Sequence, residues 1–220
     1  MKQLTCVVHF DLNIKTKLFC GCVYDVLAVP NSCCCPVCLG LPGSLPALNK
    51  AAVEKILLLG KLFESHVHKI SSFYKKTNFS PDLPLGYQVS QHTHPLISGG
   101  CYDGIKIKHL HLQTNKALLL PSDDTRHTLI DFNPSGTARI ELMTEAVFDH
   151  HDDIQSFILK LSQFLKSHHI ISTDAQICYS IADDVKDIIL DDTTYFPDSD
   201  IAPLIIDEEF INQLTIGATI

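Results

Sequence analysis

The stretch "TKLFCGCVYDVLAVPNSCCCPVCLGLPGSLPALNK", Thr16 to Lys50, holds six of the chain's nine cysteines. Within it lie two close pairs, Cys20-Gly-Cys22 and Cys35-Pro-Val-Cys38. A structural zinc ion takes four ligands in a tetrahedron, and two such pairs on separate turns deliver four thiolates in that geometry. Pro30, Pro36, Gly40, Pro42, Gly43 and Pro46 exclude a long regular element here and allow the tight turns from which backbone amides point at sulfur. A thioredoxin-like redox role for Cys35-Pro-Val-Cys38 would require a helix directly after it, and "LGLPGSLP" follows instead. The plain alternative is a set of buried free cysteines acting as small apolar residues. Cys33 and Cys34 leave open which thiols would take the metal.

On the N-terminal side, Leu4, Cys6, Val8, Phe10 and Leu12 alternate with Val7, His9 and Asp11, which predicts a strand over 3–12 with His9 on the chemically interesting face. On the C-terminal side, Asn49 is placed to cap a helix running through Val53, Ile56, Leu57 and Gly60 to about Glu64. Between Phe73 and Leu142 the pattern changes to short β-rich runs: "LGYQVSQ", "GIKIKHLHL", "KALLLPS", "HTLIDF" and "ARIELM". Ile154, Phe157, Ile158, Leu161, Phe164 and Leu165 then follow helical spacing, with aspartates before and Lys166, His168 and His169 at the end. A further strand, "AQICYSI", leads into an acidic, proline-punctuated tail. No internal repeat or low-complexity linker breaks the chain. The expectation is therefore one α+β domain over 1–220: a β-rich sheet, two main helices and a cysteine knuckle at about 16–46.

The 220 residues are 45% hydrophobic and 19% charged, enough to bury a core without disulfide staples. The N-terminus lacks the features of a secretory signal, and no apolar run reaches the ~18 residues of a membrane-spanning helix. No membrane association is expected. A cytoplasmic location is the default expectation, and its reducing conditions would favour thiolates for a metal over disulfides. The net charge of −8 argues against binding nucleic acid unaided, since that affinity is built largely from lysine and arginine on phosphates. The acidic residues concentrate late, so any RNA-facing surface belongs to the first half. Asp183, Asp184, Asp187, Asp191 and Asp192 are expected to form a solvated face.

The segments "TKLFCGC", "PVCLGLPGSLPALNKAAVE", "PDLPLGYQVSQ", "IDFNPSGTARIEL" and "TYFPDSDIAPLIIDEEFI", in this order, resemble the B subunit of the bacterial-type tRNA-dependent aspartyl/glutamyl amidotransferases, the GatB family. The resemblance implies a β-rich cradle with a zinc knuckle on Cys20, Cys22, Cys35 and Cys38. It also implies ATP and magnesium as cofactors, with phosphorylation of the side-chain carboxylate of a mischarged Glu-tRNA(Gln) or Asp-tRNA(Asn). Ammonia from a glutaminase A subunit would displace the phosphate, with a small C subunit tying the two together. By the same resemblance His9, His111 and Glu141 match catalytic positions, and Lys75, Lys76, Asn133 and Gly136 match cofactor-binding ones. Lys75 stands where the family has an arginine.

The match has gaps. Val7 stands where the family has a glutamate, Gln113, Thr114 and Asn115 replace the acidic residues after the histidine, and Pro134 replaces an arginine. Asp11 shares the His9 face but lies ~13 Å along the strand from Val7. Magnesium prefers hard anionic oxygens, so an ATP·magnesium site of full strength is not expected. The stretch from Ile171 to Tyr195 is shorter than the family's, and the family's helical and tail domains are expected to be absent. Tyr195-Phe196-Pro197-Asp198 should form a turn packing back on the cradle. Val53 to Leu62 and "PDLPLGYQ", which keep the family pattern, are the expected docking surface for the A subunit. A degenerate scaffold without nucleotide chemistry is the rival expectation. A third, a zinc-dependent hydrolase, would draw on His92-Thr-His94 and His109-Leu-His111. Against it, histidines on a half-exposed strand are commonly surface residues, and no carboxylate base stands at motif spacing.

Overall fold

Alternation along β1 (Thr5–Asp11) sends Cys6, Val8 and Phe10 into the core and leaves Val7, His9 and Asp11 on the other face. The same alternation recurs on the two strands that follow it across the sheet, and this positions the site. The structure, a computed structural model, describes residues 3–78, 80–83, 86–124, 126–182 and 195–214. After β1 come α1 (Lys50–Leu62), β2 (His66–Val67), β3 (Ile70–Ser71), β4 (Tyr74–Thr77), β5 (Tyr87–Ser90), β6 (Ile97–Ser98), β7 (Cys101–Tyr102) and β8 (Ile105–Thr114). They are followed by β9 (Leu118–Leu120), β10 (Leu129–Asp131), β11 (Ala138–Thr144), α2 (His151–Ser167), β12 (Cys178–Ala182), β13 (Tyr195–Pro197), β14 (Leu204–Ile205) and a short helix, Glu208–Gln213.

The main sheet runs in the order β12-β1-β11-β8-β5-β4-β13, and each pairing is antiparallel. Antiparallel register aligns three rows across β1, β11 and β8: Val7–Met143–His109, His9–Glu141–His111, and Asp11–Arg139–Gln113. The intervening residues, among them Ile140, Leu142, Leu110 and Leu112, join the core that α1 and α2 cover. Each large aliphatic or aromatic side chain fully buried there contributes about 1.5–3 kcal/mol.

The predicted helices are both present. Asn49 caps α1 by accepting from the Ala51 N–H at 2.9 Å, and its amide donates to the Thr16 Oγ1 at 2.9 Å, tying the helix start to the start of the cysteine loop. Gly60 belongs to α1 because a Cβ there would stand 2.7 Å from Ile97 Cδ1. α1 is not a free docking surface, contrary to expectation: Val53, Ile56, Leu57 and Leu59 are buried in the core.

Tyr195-Phe196-Pro197 is a strand and not a turn. It pairs with β4, and the Asp198 N–H donates to the Phe73 carbonyl at 3.0 Å, so the segment does pack back on the sheet. The late aspartates, Asp183 to Asp192, lie outside the described residues. Among those described, no helix is long and apolar enough to cross a membrane.

Candidate functional site

The cysteine loop closes on itself. The sulfurs of Cys20, Cys22, Cys35 and Cys38 lie within 4.8 Å of one another, a group that can hold a metal ion. Cys33 and Cys34 fall outside it: the Cys33 sulfur contacts the Ser32 hydroxyl, and the Cys34 thiol points to the Asn133 carbonyl oxygen. Cys38 is the best-supported member. It accepts from the Cys35 N–H at 3.1 Å and from the ammonium of the buried Lys17 at 3.4 Å. Its thiol is held down at about 4, chiefly by the hydrogen bond from Cys20, with the Cys35 N–H and Lys17 acting the same way against burial. The Cys20 thiol is pushed up by that same hydrogen bond and by burial, and Cys22 is raised to about 11, mainly by burial. Four cysteine sulfurs, one of them steadied by hydrogen bonds from an amide and an ammonium, match the ligand set that zinc takes in a structural site, so the residues present fit the metal.

Two of the residues matched to cofactor binding sit under this loop. Asn133 is buried: its side-chain oxygen accepts from the Cys33 N–H at 2.7 Å, and its amide donates to the Val29 carbonyl at 2.8 Å. Gly136 has φ +82, and a Cβ on it would stand 3.0 Å from the Cys38 Cβ. Gly136→Ala is therefore expected to destabilise the protein by about 1–3 kcal/mol through backbone strain and displacement of Cys38. Urea unfolding of parent and variant, with bound metal counted in each, checks this.

Lys75 lines a cavity of about 220 Å³ beside the loop, with Cys20, Cys38, Asn115 and Gly136 among its other walls. Its ammonium is 3.7 Å from Asp198 and 3.7 Å from Asp200 and lies over the Tyr87 ring. Lys76, next along β4, acts electrostatically on His9, His92 and His111 instead. The matched residues thus divide between two places, and only His9, His111 and Glu141 share one row.

In that row the Glu141 carboxylate stands 3.8 Å from His9 Nδ1 and 3.9 Å from His111 Nε2, beyond hydrogen-bond length in both cases. Burial holds His9, His92 and His111 below the usual imidazole range and takes His109 to about 3. At neutral pH the row therefore presents neutral rings around one carboxylate. His109 and His111 are buried, contrary to the expected surface placement, and His109 Nε2 and both His111 ring nitrogens lack a hydrogen-bond partner. Each such orphaned group costs about 1–3 kcal/mol. His94 does not join them. Its Nδ1 meets the Tyr74 hydroxyl at 2.7 Å on the exposed side.

Gln113 and Asn115 do not stand in for carboxylates. Gln113 Nε2 contacts His9 Nδ1 at 3.1 Å, and Asn115 donates to Asp11 at 2.8 Å. Asp11 is further engaged by Arg139 at 2.8 Å, which neutralises it. That leaves Glu141 as the carboxylate facing the histidines of the row, whereas magnesium takes an octahedron of oxygens anchored by carboxylates. The residues present do not fit magnesium. Lys17 has no role that spacing alone assigns. A lysine three residues before the first cysteine pair, in "TKLFC", is the available signal.

Over residues 5–177 the chain matches the family described as the GatB/GatE catalytic domain. It is 39% identical over 170 residues to the B subunit of the aspartyl/glutamyl-tRNA(Asn/Gln) amidotransferase of Coprothermobacter proteolyticus, with 72% of this chain and 36% of that protein covered. For the protein of the same name from Halobacterium salinarum the identity is 38% over 176 residues, with 72% and 35% covered, and for that of Borreliella afzelii 35% over 169 residues, with 72% and 35% covered. The chain spans about a third of the length of these curated relatives. A family match over most of the chain and identities of 35–39% to named B subunits bear out the resemblance in the sequence, and the chain belongs to the GatB/GatE catalytic-domain family.

Proposed function

We propose that this chain serves as the cradle domain of the B subunit in a tRNA-dependent amidotransferase. It takes part there in converting Glu-tRNA(Gln) or Asp-tRNA(Asn) to Gln-tRNA(Gln) or Asn-tRNA(Asn), with glutamine as amide donor. The observation that carries this reading is the row His9–Glu141–His111, at the positions where the family resemblance places catalytic residues. The four-cysteine knuckle would hold zinc structurally, and the complex would work in the cytoplasm with the A and C subunits, the mischarged tRNA arriving through the assembly.

In this reading Glu141 and the neutral ring of His9 orient the acceptor end with the buried His111 behind them, while Lys76 supplies positive charge for a phosphate and Lys75, held by Asp198 and Asp200, lines the neighbouring cavity. Asn133 and Gly136 act by holding the knuckle against the sheet. The knuckle loop also exposes Val26, Leu27, Val29 and Leu45, which supply the apolar contact for the A subunit that α1 cannot. A second reading, a scaffold whose own phosphoryl chemistry has lapsed, is favoured by the neutralised Asp11 and by amides in place of carboxylates.

Gel filtration of the chain mixed with A and C subunits, followed by an amidation assay on mischarged tRNA, tests both. Co-elution is expected, together with its loss in the double variant Leu27→Glu, Val29→Glu. Amidation by the assembled complex favours the first reading, and assembly without amidation favours the scaffold. A chain that elutes alone beside both subunits would sink the two together.

A further inference from the structure

We propose that His92, His109 and Glu141 form a second metal site, taking a divalent transition ion of the zinc class through two imidazoles and a carboxylate. His92 lies in the turn after β5, His109 on β8 and Glu141 on β11, so three separate segments converge on one point. Their donor atoms all lie within 4.8 Å of one another. Bonds of roughly 2.0–2.1 Å put the donors of a tetrahedral ion roughly 3.3 Å apart, so side-chain adjustments of about 1 Å close the site.

The second, independent observation is the state of His109. It is only 8% exposed, and its Nε2 is buried without a hydrogen-bond partner, although imidazole nitrogens are strong donors or acceptors that a core normally satisfies. A metal is one partner that would satisfy it. His92 is held in place by its neighbours: its ring stacks on Tyr195 at 5.3 Å and stands edge-on to His109 and His111 at 5.7 Å each. His111 Nε2 stands 3.9 Å from Glu141, so the same adjustment of about 1 Å would bring it within hydrogen-bond reach of the carboxylate.

The donor set selects the ion. Imidazole suits zinc, cobalt, nickel and copper, whereas magnesium seeks oxygen. Three protein donors leave a coordination position for water or an anionic oxygen, as in zinc sites that bind a substrate group. The inference does not depend on the amidotransferase reading, because it rests on side chains of this chain alone.

The test is a titration of the tag-free, metal-stripped chain with Co²⁺ alone, with bound metal counted by elemental analysis. Two equivalents are expected: one with an intense thiolate-to-cobalt charge-transfer band from the knuckle, and one without it. In His92→Gln the band should persist, which also shows that the variant is folded, while affinity for the second equivalent falls on the order of 100-fold. His109→Gln should repeat that loss from the neighbouring strand. A parent whose bound cobalt all shows the thiolate band overturns the proposal, as does a second equivalent bound equally well by parent and His92→Gln.

Discussion

Cys38→Ser will release the knuckle metal and lower the melting temperature by roughly 10 °C, measured by calorimetry beside elemental analysis. Structural zinc contributes folding free energy directly, and serine offers it a poor ligand. The effect is larger at Cys38 than elsewhere in the knuckle because its sulfur also faces the buried ammonium of Lys17. Without the thiolate, that charge keeps only the Cys33 carbonyl at 2.9 Å, and breaking a buried pair on one side costs about 3–5 kcal/mol. For a chain of this length that corresponds to a shift of roughly 10 °C. Cys35→Ser should also lose the metal, with a smaller drop, since its sulfur has no such cation. Cys33→Ser, outside the cluster, should change neither quantity. A Cys38→Ser protein that melts with the parent, or a parent purified without metal and equally stable, would count against the knuckle as a zinc site.

How much of this is legible in the sequence follows from what each signal encodes. The alternation in "LTCVVHFDL" places His9 and Asp11 on one face because a strand's period is two, and the structure keeps that face. Asn49 is readable as a cap because its short amide can reach the second N–H of the helix, as it does. The choice of sulfurs is half legible. Spacing allows Cys33 or Cys34 as rivals, and only the fold shows that Asn133 draws the Cys33 amide and the Cys34 thiol away from the cluster. The short strands β2, β3, β6 and β7 leave no trace, since two residues carry no period. The burial of His109 and His111 escapes the sequence for a related reason. Alternation says that the two share a face, but whether that face meets solvent depends on His92 and β13 folding over it, which is a contact distant in sequence. Asp11 likewise gives no sign of its partners, as Arg139 and Asn115 stand 128 and 104 residues away.

The isolated chain will bind ATP·Mg²⁺ weakly and will not phosphorylate mischarged tRNA at a useful rate, and restoring acidity will show why. Losing a metal carboxylate or a phosphate-stabilising cation removes several kcal/mol of transition-state stabilisation each, and Val7, Gln113, Asn115 and Pro134 stand where the family resemblance implies carboxylates and an arginine. The geometry agrees: Asn115 gives its amide protons to Asp11 and Thr137, and Gln113 faces His9, so both side chains are committed within the sheet. In the triple variant Val7→Glu, Gln113→Glu, Asn115→Asp, the residue at 113 would accept from His9. The one at 7 would lie in the row of His109, and the one at 115 would set a second carboxylate beside Asp11. Calorimetric titration of ATP·Mg²⁺ into parent and variant separates the outcomes. Tight binding by the parent would mean that the site works through His9, Asp11 and Glu141, and the lapsed-chemistry reading would fall. Binding by the variant alone would mean that the cradle persists and only its metal-holding carboxylates were lost, the expected result. Binding by neither would assign the defect to more than those three positions, and the chain's role would then rest on the subunits it assembles with.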